Sequence, residues 1–263
     1  MSNRRRPAAE PAAVTLAYVH SNEVAHSWHQ SVMAMVAHDM AHDARLLRGG
    51  WISIRCGTDG LPASRNEAVR QFLSTDEAEW LFWVDTDMGF APDTVDRLVA
   101  SADPVERPIM GALCFAQREM HPDGTGGYRC RAAPTIYDWR TVGDKSGFVA
   151  RQVYQPNAVM KCSGTGSAAI VIHRSVFESI QEEYGPTWYD RAPDGPADEN
   201  GVRRMMGEDL SFCMRAGVRG FPVHVDTSVK TSHLKPVWLA EDDYLAQYAA
   251  EQMFASIDET TSA

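Results

Sequence analysis

Hydrophobic residues are most concentrated in the run Trp80–Val84, which is followed at once by two carboxylates, Asp85 and Asp87. An unbroken apolar run predicts a strand buried on both faces, as the strands of parallel sheets are. Such sheets bind their ligands at the carboxyl ends of the strands. Because side chains two apart in an extended segment point the same way, both carboxylates can converge on one cation. The pattern predicts a metal-bound phosphate at this strand end, and a solvated turn is the simple alternative.

The first half of the chain alternates between strand-like and helix-like patterns. Apolar runs are followed by stretches in which apolar residues recur at helical spacing, and Gly49 and Gly50 end the first of these stretches. The predicted strands are 14–19, 51–56, 80–84 and 108–114, and the predicted helices are 23–48, 64–74 and 92–100. This alternation favours an α/β fold with a mostly parallel central sheet flanked by helices.

The pattern changes after Gln117. Glycines, prolines and short β-prone pieces predict hairpins and loops inserted beside the sheet over about 117–160. Beyond it we expect strands at 170–172, 220–225 and 229–233 and helices at 176–183, 207–216 and 238–255. The segment of about 184–204 is rich in Pro, Gly and Asp, and is predicted to be a mobile loop that becomes ordered when it closes over a ligand. Residues 1–13 are expected to be a disordered basic tail, and 14–263 a single domain.

Composition limits the function classes. The formal charge of -10 and the pI of about 5.3 argue against general nucleic-acid binding, which needs a basic face. No apolar stretch approaches the roughly 20 residues of a membrane span, and the start of the chain lacks the apolar run of a signal peptide. The five cysteines are scattered and never spaced as CxxC. We therefore expect a soluble protein of the reducing cytoplasm.

Further polar residues at element ends are candidates for chemistry, each with a structural alternative. Glu208 and Asp209 open a predicted helix, where the backbone dipole favours carboxylates, so they are either helix caps or catalytic groups. Arg65 and Asn66 begin another helix and either hold a nucleotide or cap and pair. His233 is a metal ligand only if it shares a site with the aspartates.

Two histidine pairs and one glycine-rich segment suggest other sites. His38 and His42, and His26 and His29, have the spacing of zinc ligands on a helix, but a solvated helix face explains them more simply. The segment Gly164–Ala169 is similar to a dinucleotide-binding turn, yet it precedes a β-like run instead of joining a strand to a helix. Its small residues are better explained by close approach of a ligand to the backbone.

Four segments occur in a defined order along the chain. They are Ser64-Arg65-Asn66 with Phe72-Leu73; Leu81 to Met88 with Pro92; Gly164-Thr165-Gly166 with Ile172, Arg174 and Phe177; and Glu208-Asp209 with Arg215 and Gly220. This series, which covers most of residues 14 to 235, resembles the GT-A glycosyltransferases. It is most similar to single-domain members related to the large inverting group (family 2-like) that includes cellulose and chitin synthases. His233 falls where many members carry a metal-binding histidine.

The resemblance implies a GT-A fold and a nucleoside-diphosphate sugar donor whose diphosphate is held through Mn²⁺ or Mg²⁺. The implied metal residues are Asp85, Asp87 and His233, with Asp85 nearer the ribose or a metal-bound water. The implied donor-binding residues are His20, Ser21, Glu23, Arg65, Asn66, Asp85, Gly164 and Gly166. In inverting members a carboxylate deprotonates the acceptor hydroxyl, and Asp209 matches that position, with Glu208 supporting the site.

The expected function is therefore a metal-dependent glycosyltransferase that moves a single sugar, with inversion, to an unidentified acceptor (glycan, protein or modified nucleotide). Membrane helices and the Gln-x-x-Arg-Trp motif are absent from the sequence, which disfavours a processive polymer product. In a retaining enzyme Asp209 would not be a base. A sugar nucleotidyltransferase and a non-catalytic nucleotide-sugar-binding module of the same fold are the alternatives. Trp188, Tyr189 and Trp238 either stack on sugar or acceptor rings or pack in the core.

Overall fold

The computed structural model describes residues 10–122, 128–143, 145–195, 197, 199–236, 241 and 245. The chain divides into two compact units, one formed by residues 1–116 and 134–234 and the other by 117–133 and 235–263. The predicted tail before residue 10, and all of the predicted helix 238–255 except residues 241 and 245, lie outside the described residues. No helix within the described part of the chain is long and apolar enough to cross a membrane.

The secondary structure alternates as expected in the first half and becomes strand-rich in the middle. The helices are α1 (His26–Ala41), α2 (Arg45–Gly49), α3 (Gly60–Leu73), α4 (Thr94–Ser101), α5 (Arg174–Tyr184) and α6 (Glu208–Val218). The strands are β1 (Val14–His20), β2 (Trp51–Arg55), β3 (Trp80–Val84), β4 (Met88–Phe90), β5 (Ile109–Leu113), β6 (Phe115–Pro122), β7 (Tyr128–Pro134), β8 (Ile136–Val142), β9 (Lys145–Ala150), β10 (Val159–Cys162), β11 (Gly164–Thr165), β12 (Ala169–His173) and β13 (Val223–His233).

The first unit is built on a mostly parallel sheet. Its strand order is β10-β13-β5-β12-β3-β1-β2, and β4 pairs with the far end of β13. Strand β1 runs parallel to β2 and β3, and β13 runs parallel to β5, whereas β12 and the edge strand β10 are antiparallel to their neighbours. Strands β11, β8 and β9 form a separate three-stranded sheet, and β6 pairs with β7. The predicted α/β class is confirmed.

Strand β3 separates the two hydrophobic cores that cover the sheet. Leu81 and Trp83 pack on the side of α3, α5 and α6, and Trp80, Phe82 and Val84 pack on the side of α1, α2 and α4. All five side chains are buried, and full burial of each large apolar side chain contributes roughly 1.5–3 kcal/mol. The uninterrupted apolar run is thus explained by a strand covered on both faces.

The predicted single helix over 23–48 is wrong, because two helices occupy this range. The chain turns after α1, where Ala44 adopts a left-handed φ of 50°. The buried Asp39 carboxylate then accepts the backbone N–H groups of Leu46 and Leu47, which satisfies the start of α2. Gly49 packs against the backbone of Val14 so closely that a β-carbon would collide with it.

Part of the segment predicted to be a mobile loop packs in the core, and its mobility stays a prediction. Trp188 and Tyr189 are fully buried, and the Trp188 indole donates to the backbone oxygen of Phe177. At the far end, Pro193 and Met205 form a β-bridge that closes the exposed turn between them. Trp188 and Tyr189 therefore pack in the core and are not free to stack on a sugar.

Candidate functional site

Two of the three predicted metal residues, Asp87 and His233, meet just beyond the end of β3. After β3 the chain turns, and β4 pairs antiparallel with the last residues of β13, so that His233 lies opposite Met88. The backbone N–H of Leu234 also donates to the carbonyl oxygen of Asp87 at 2.8 Å. This pairing brings residues 146 positions apart in sequence to the same carboxyl edge of the sheet.

The imidazole ring of His233 faces the carboxylate of Asp87, and its hydrogen bonds show which ring nitrogen carries the proton. The Nδ1 atom of His233 lies 2.8 Å from the carbonyl oxygen of Phe115, which can only accept, so Nδ1 must carry a proton. The Nε2 atom lies 3.0 Å from Oδ2 of Asp87. In a neutral imidazole this Nε2 is an acceptor facing a carboxylate acceptor. This contact is favourable when the two atoms share a proton or bind the same metal cation as neighbouring ligands.

Arg65 connects Asp85 to Asp209. Its side chain is only 2% exposed, and its guanidinium Nη2 atom lies 2.9 Å from Asp85 Oδ1 and 3.7 Å from Asp209 Oδ1. Burial lowers the pKa of Arg65, but the carboxylates of Asp85 and Asp209 outweigh this effect and raise it above its usual value. The rings of Trp83 and Tyr189 lie 5.1 and 5.5 Å from its Cζ atom.

Glu208 and Asp209 occupy the first turn of α6, as predicted. Gly207, which precedes the helix, has no side chain that could cap it. The two carboxylates lie in the first turn, where the helix dipole favours negative charge. Asp209 faces Gly166: a β-carbon added to this glycine would lie 3.7 Å from Oδ2. The glycine therefore leaves space beside the carboxylate.

Asp85, Asp209 and His233 line a common cavity of about 240 Å³. Its lining includes Asp85, Gly166, Asp209 and His233, and the remaining side chains are uncharged. The cavity residues are Asp85, Ala116, Thr135, Tyr137, Thr165, Gly166, Ala168, Gly207, Asp209, Leu210 and His233. A larger apolar cavity of about 530 Å³, lined by residues such as Trp139, Phe148 and Phe221, contains none of the predicted site residues.

The loop after β1 lies beside the acidic turn. The backbone carbonyl oxygen of His20 accepts a hydrogen bond from the backbone N–H of Cys56. The backbone N–H of Ala25 donates to the carbonyl oxygen of Thr86, the residue between Asp85 and Asp87. Ser21 and Glu23 are exposed in this loop. Their predicted contact with a nucleoside stays a prediction.

Two predicted donor-binding residues have other partners in the structure. The side-chain amide of Asn66 donates to Asp190 at 2.6 Å and accepts the backbone N–H of Tyr189 at 2.8 Å, so it fixes the segment after α5. The space above Gly164 is filled by Phe148 and Leu210, which approach to about 3 Å of an added β-carbon. A ligand contact is therefore unsupported at Asn66 and Gly164, in contrast to Gly166.

Neither aromatic neighbour of Arg65 was predicted to contact it: Trp83 was assigned to the core strand, and Tyr189 was a candidate for stacking on a sugar or acceptor ring. Trp83 belongs to the apolar run of β3, and Tyr189 lies in the segment predicted to be mobile. Neither position carries a sequence signal for proximity to Arg65, because the contacts join α3, β3 and the segment before α6. The charged groups of the site are thus surrounded by residues that sequence patterns assign to the core or to a loop.

Complete metal sites are absent from the described residues: no three or more His, Cys, Asp or Glu side chains are grouped to hold an ion. Asp85 is turned to Arg65, which leaves Asp87 and His233 as a pair. On helix α1, His38 Nε2 donates to the carboxylate of Asp96 at 2.9 Å, and its ring stacks on that of His42 with 4.0 Å between the ring centroids. His26, His29 and His42 are exposed, as the solvated-face interpretation expects, whereas His38 is half-buried against α4.

Comparisons with known proteins place the fold. No protein-family model matches the chain, and no curated protein sequence matches it. The structure is similar to that of GalNAc-T7 with UDP, GalNAc and Mn²⁺, with a TM-score of 0.52 and 13% identity over 86% of this chain and 44% of that chain. The chain thus spans less than half the length of that protein. The structure of A197 from STIV matches with a TM-score of 0.47 and 11% identity over 85% of this chain and 86% of that chain. The fold is GT-A-like.

Proposed function

We propose that the protein is a metal-dependent glycosyltransferase that moves a single sugar from a nucleoside diphosphate to an acceptor. The observation that carries this proposal is the convergence of Asp87, His233, Asp85, Arg65 and Asp209 at the carboxyl edge of a GT-A-like sheet. Similarity to a protein solved with UDP, GalNAc and Mn²⁺ supports a nucleotide-sugar donor and a divalent cation.

The Asp87 and His233 pair fits a divalent cation. The proton on Nδ1 of His233 leaves Nε2 as the ligand atom, and a carboxylate oxygen lies 3.0 Å from it. One imidazole and one carboxylate suit Mn²⁺, and Mg²⁺ is the harder alternative. Two protein ligands leave coordination positions for diphosphate oxygens and water. When bound, the metal would neutralise charge on the departing diphosphate.

Asp209 is the proposed general base in an inverting transfer. Its carboxylate lines the cavity at the start of α6, and Oδ2 lies 3.7 Å from the position of an added β-carbon on Gly166, another cavity residue. A carboxylate in this place can accept the proton of an acceptor hydroxyl as the hydroxyl attacks the sugar. Arg65 and the helix start restrict the orientation of the carboxylate, and Glu208 supports the site.

The first test is thermal unfolding with a panel of nucleoside diphosphates, each with and without Mn²⁺. A nucleotide at 100 times its dissociation constant should stabilise the native state by roughly 2.7 kcal/mol. Asp87→Asn should abolish the metal-dependent part of this shift. Asp76→Asn is the matched control, because Asp76 is fully exposed and distant from the cavity lining. Absence of any nucleotide-dependent shift in the wild type would refute the proposal.

The second test separates catalysis from binding. Asp209→Asn should retain the metal-dependent shift with the preferred nucleotide and lose sugar transfer, measured as release of nucleoside diphosphate in the presence of acceptor. A binding module would show the shift and no release in either protein. A variant with full transfer activity would exclude Asp209 as the base.

A further inference from the structure

Buried polar atoms without a hydrogen bond are concentrated around Arg65. The described residues contain seven such side-chain atoms, and four of them are Arg65 Nε, Trp83 Nε1, Tyr189 Oη and Asp209 Oδ1. The guanidinium of Arg65 touches the rings of Trp83 and Tyr189, and its Nη2 atom lies 3.7 Å from Asp209 Oδ1. The four atoms thus belong to Arg65 and three of its neighbours, one of which, Asp209, is the candidate base.

The four atoms include both hydrogen-bond donors and acceptors, but no two of them form a hydrogen bond with each other. Arg65 Nε and Trp83 Nε1 can only donate, an ionised Asp209 Oδ1 can only accept, and the Tyr189 hydroxyl can do both. Buried polar groups that lack a direct partner are commonly satisfied by an enclosed water molecule, which makes two to four hydrogen bonds. A water molecule accepts from the donors and donates to the carboxylate, so it meets the needs of this cluster.

Tyr189 is held rigidly in position. Its backbone N–H donates to Asn66, its ring stacks on Phe212 at 4.9 Å with an interplanar angle of 11°, and its edge packs on Trp83. Burial raises the pKa of Tyr189, so the hydroxyl keeps its proton and remains a donor. The nearby Ser167 hydroxyl favours the ionised form of Tyr189, yet the Tyr189 hydroxyl makes no hydrogen bond of standard geometry among the described residues.

We propose that a buried water molecule bridges the Tyr189 hydroxyl and Asp209 Oδ1, and that Tyr189 is thereby a positioning residue for Asp209. The water and the Arg65 guanidinium fix Oδ1, so that Oδ2 remains on the side of Gly166, which lines the cavity together with Asp209. The proposed water site depends only on the structure and not on the proposed function. Its effect on turnover rests on the proposed function.

The test compares the wild type with Tyr189→Phe, which keeps the stacked ring and removes only the hydroxyl. Tyr184→Phe is the matched control, since Tyr184 is half-buried on α5 and belongs to no part of the cluster. High-resolution crystal structures of the wild type and of the control should show water density within hydrogen-bonding distance of Tyr189 Oη and Asp209 Oδ1. In Tyr189→Phe the density should be lost or Asp209 should rotate.

Kinetics then test the positioning role. Tyr189→Phe should lower the rate of sugar transfer roughly fivefold, as expected for loss of one hydrogen bond, without changing metal-dependent nucleotide affinity. Wild-type density without this water would overturn the water site, whether or not the protein proves to be a transferase. An unchanged transfer rate in Tyr189→Phe would overturn the positioning role. A protein without transfer activity would fail the tests of the proposed function while the crystallographic result still decides the water site.

Discussion

Arg65 combines a permanent charge with nearly complete burial. Such a side chain is tolerated because its guanidinium lies against two aromatic rings and pairs with carboxylates. Asp85 and Asp209 are 36% and 28% exposed at their side chains, so their repulsion without Arg65 would be only partly screened by water. The residue therefore organises two acidic groups that come from different elements.

Replacement of Arg65 by methionine should destabilise the protein by about 2 kcal/mol in urea unfolding. The value lies below the about 3–5 kcal/mol of a fully buried broken pair because both carboxylates reach solvent. Adding Asp85→Asn to Arg65→Met should recover part of the loss. Arg70→Met on the same helix is the control, since its exposed pair with Glu67 should contribute under about 0.5 kcal/mol. Equal losses at the two arginines would contradict this role.

Residue types at the site could be predicted from sequence, but their partners could not. The aspartates after β3 and Asp209 are recognisable because they follow an apolar strand or open a helix, whereas His233 was predicted only from the resemblance to the GT-A glycosyltransferases. Burial of Arg65 and capture of Asn66 by the segment at Tyr189 depend on contacts between residues more than 120 positions apart. No local pattern carries that information, because tertiary packing alone decides which groups meet.

At the level of elements, the presence of a strand was predicted more reliably than the points at which helices and strands end or are interrupted. Strand β3 is recognisable because both of its faces are buried, whereas the break after α1 depends on Asp39 turning inward to cap α2. Strand β13 was predicted as two pieces, and it runs through a register shift between Asp226 and Lys230. Such irregularities change pairing by a residue or two, which the polarity pattern does not record.

The start of α5 gives a pH-dependent prediction. His173 is the N-cap residue, and its Nδ1 atom accepts the backbone N–H of Ser175, which requires an unprotonated nitrogen. Burial lowers the pKa of His173, although Glu79 and Glu178 oppose this effect. The unfolded state therefore binds more protons in mildly acidic solution, and stability falls as the pH drops below the ordinary histidine value of about 6.5.

The replacement His173→Asn isolates this contribution, because asparagine caps helices without titrating in this range. Between pH 7 and pH 5 the free energy of unfolding of the wild type should fall by up to about 1 kcal/mol more than that of the variant. Urea unfolding at both pH values measures the difference. Parallel pH profiles for the two proteins would show that the cap does not depend on the protonation of His173.

At the level of the whole molecule, the sheet order makes distant parts of the chain depend on one another. The last strand, β13, lies between β10 and β5, and β12 lies between β5 and β3. Neither the first half nor the second half of the chain can complete this sheet alone. The first unit should therefore unfold cooperatively, with β3 reporting on damage to β13 although two strands separate them.

Replacement of Val225 by alanine tests this coupling, since Val225 is fully buried on β13. The cavity should cost about 2 kcal/mol. The urea midpoint of tryptophan fluorescence, to which Trp80 and Trp83 of β3 contribute, should shift as far as the midpoint of far-UV circular dichroism. Val153→Ala is the control, because Val153 is 82% exposed and should change either midpoint little. A circular dichroism shift without an equal fluorescence shift would mean that β13 detaches first, and the edge carrying His233 would then be the least stable part of the candidate site.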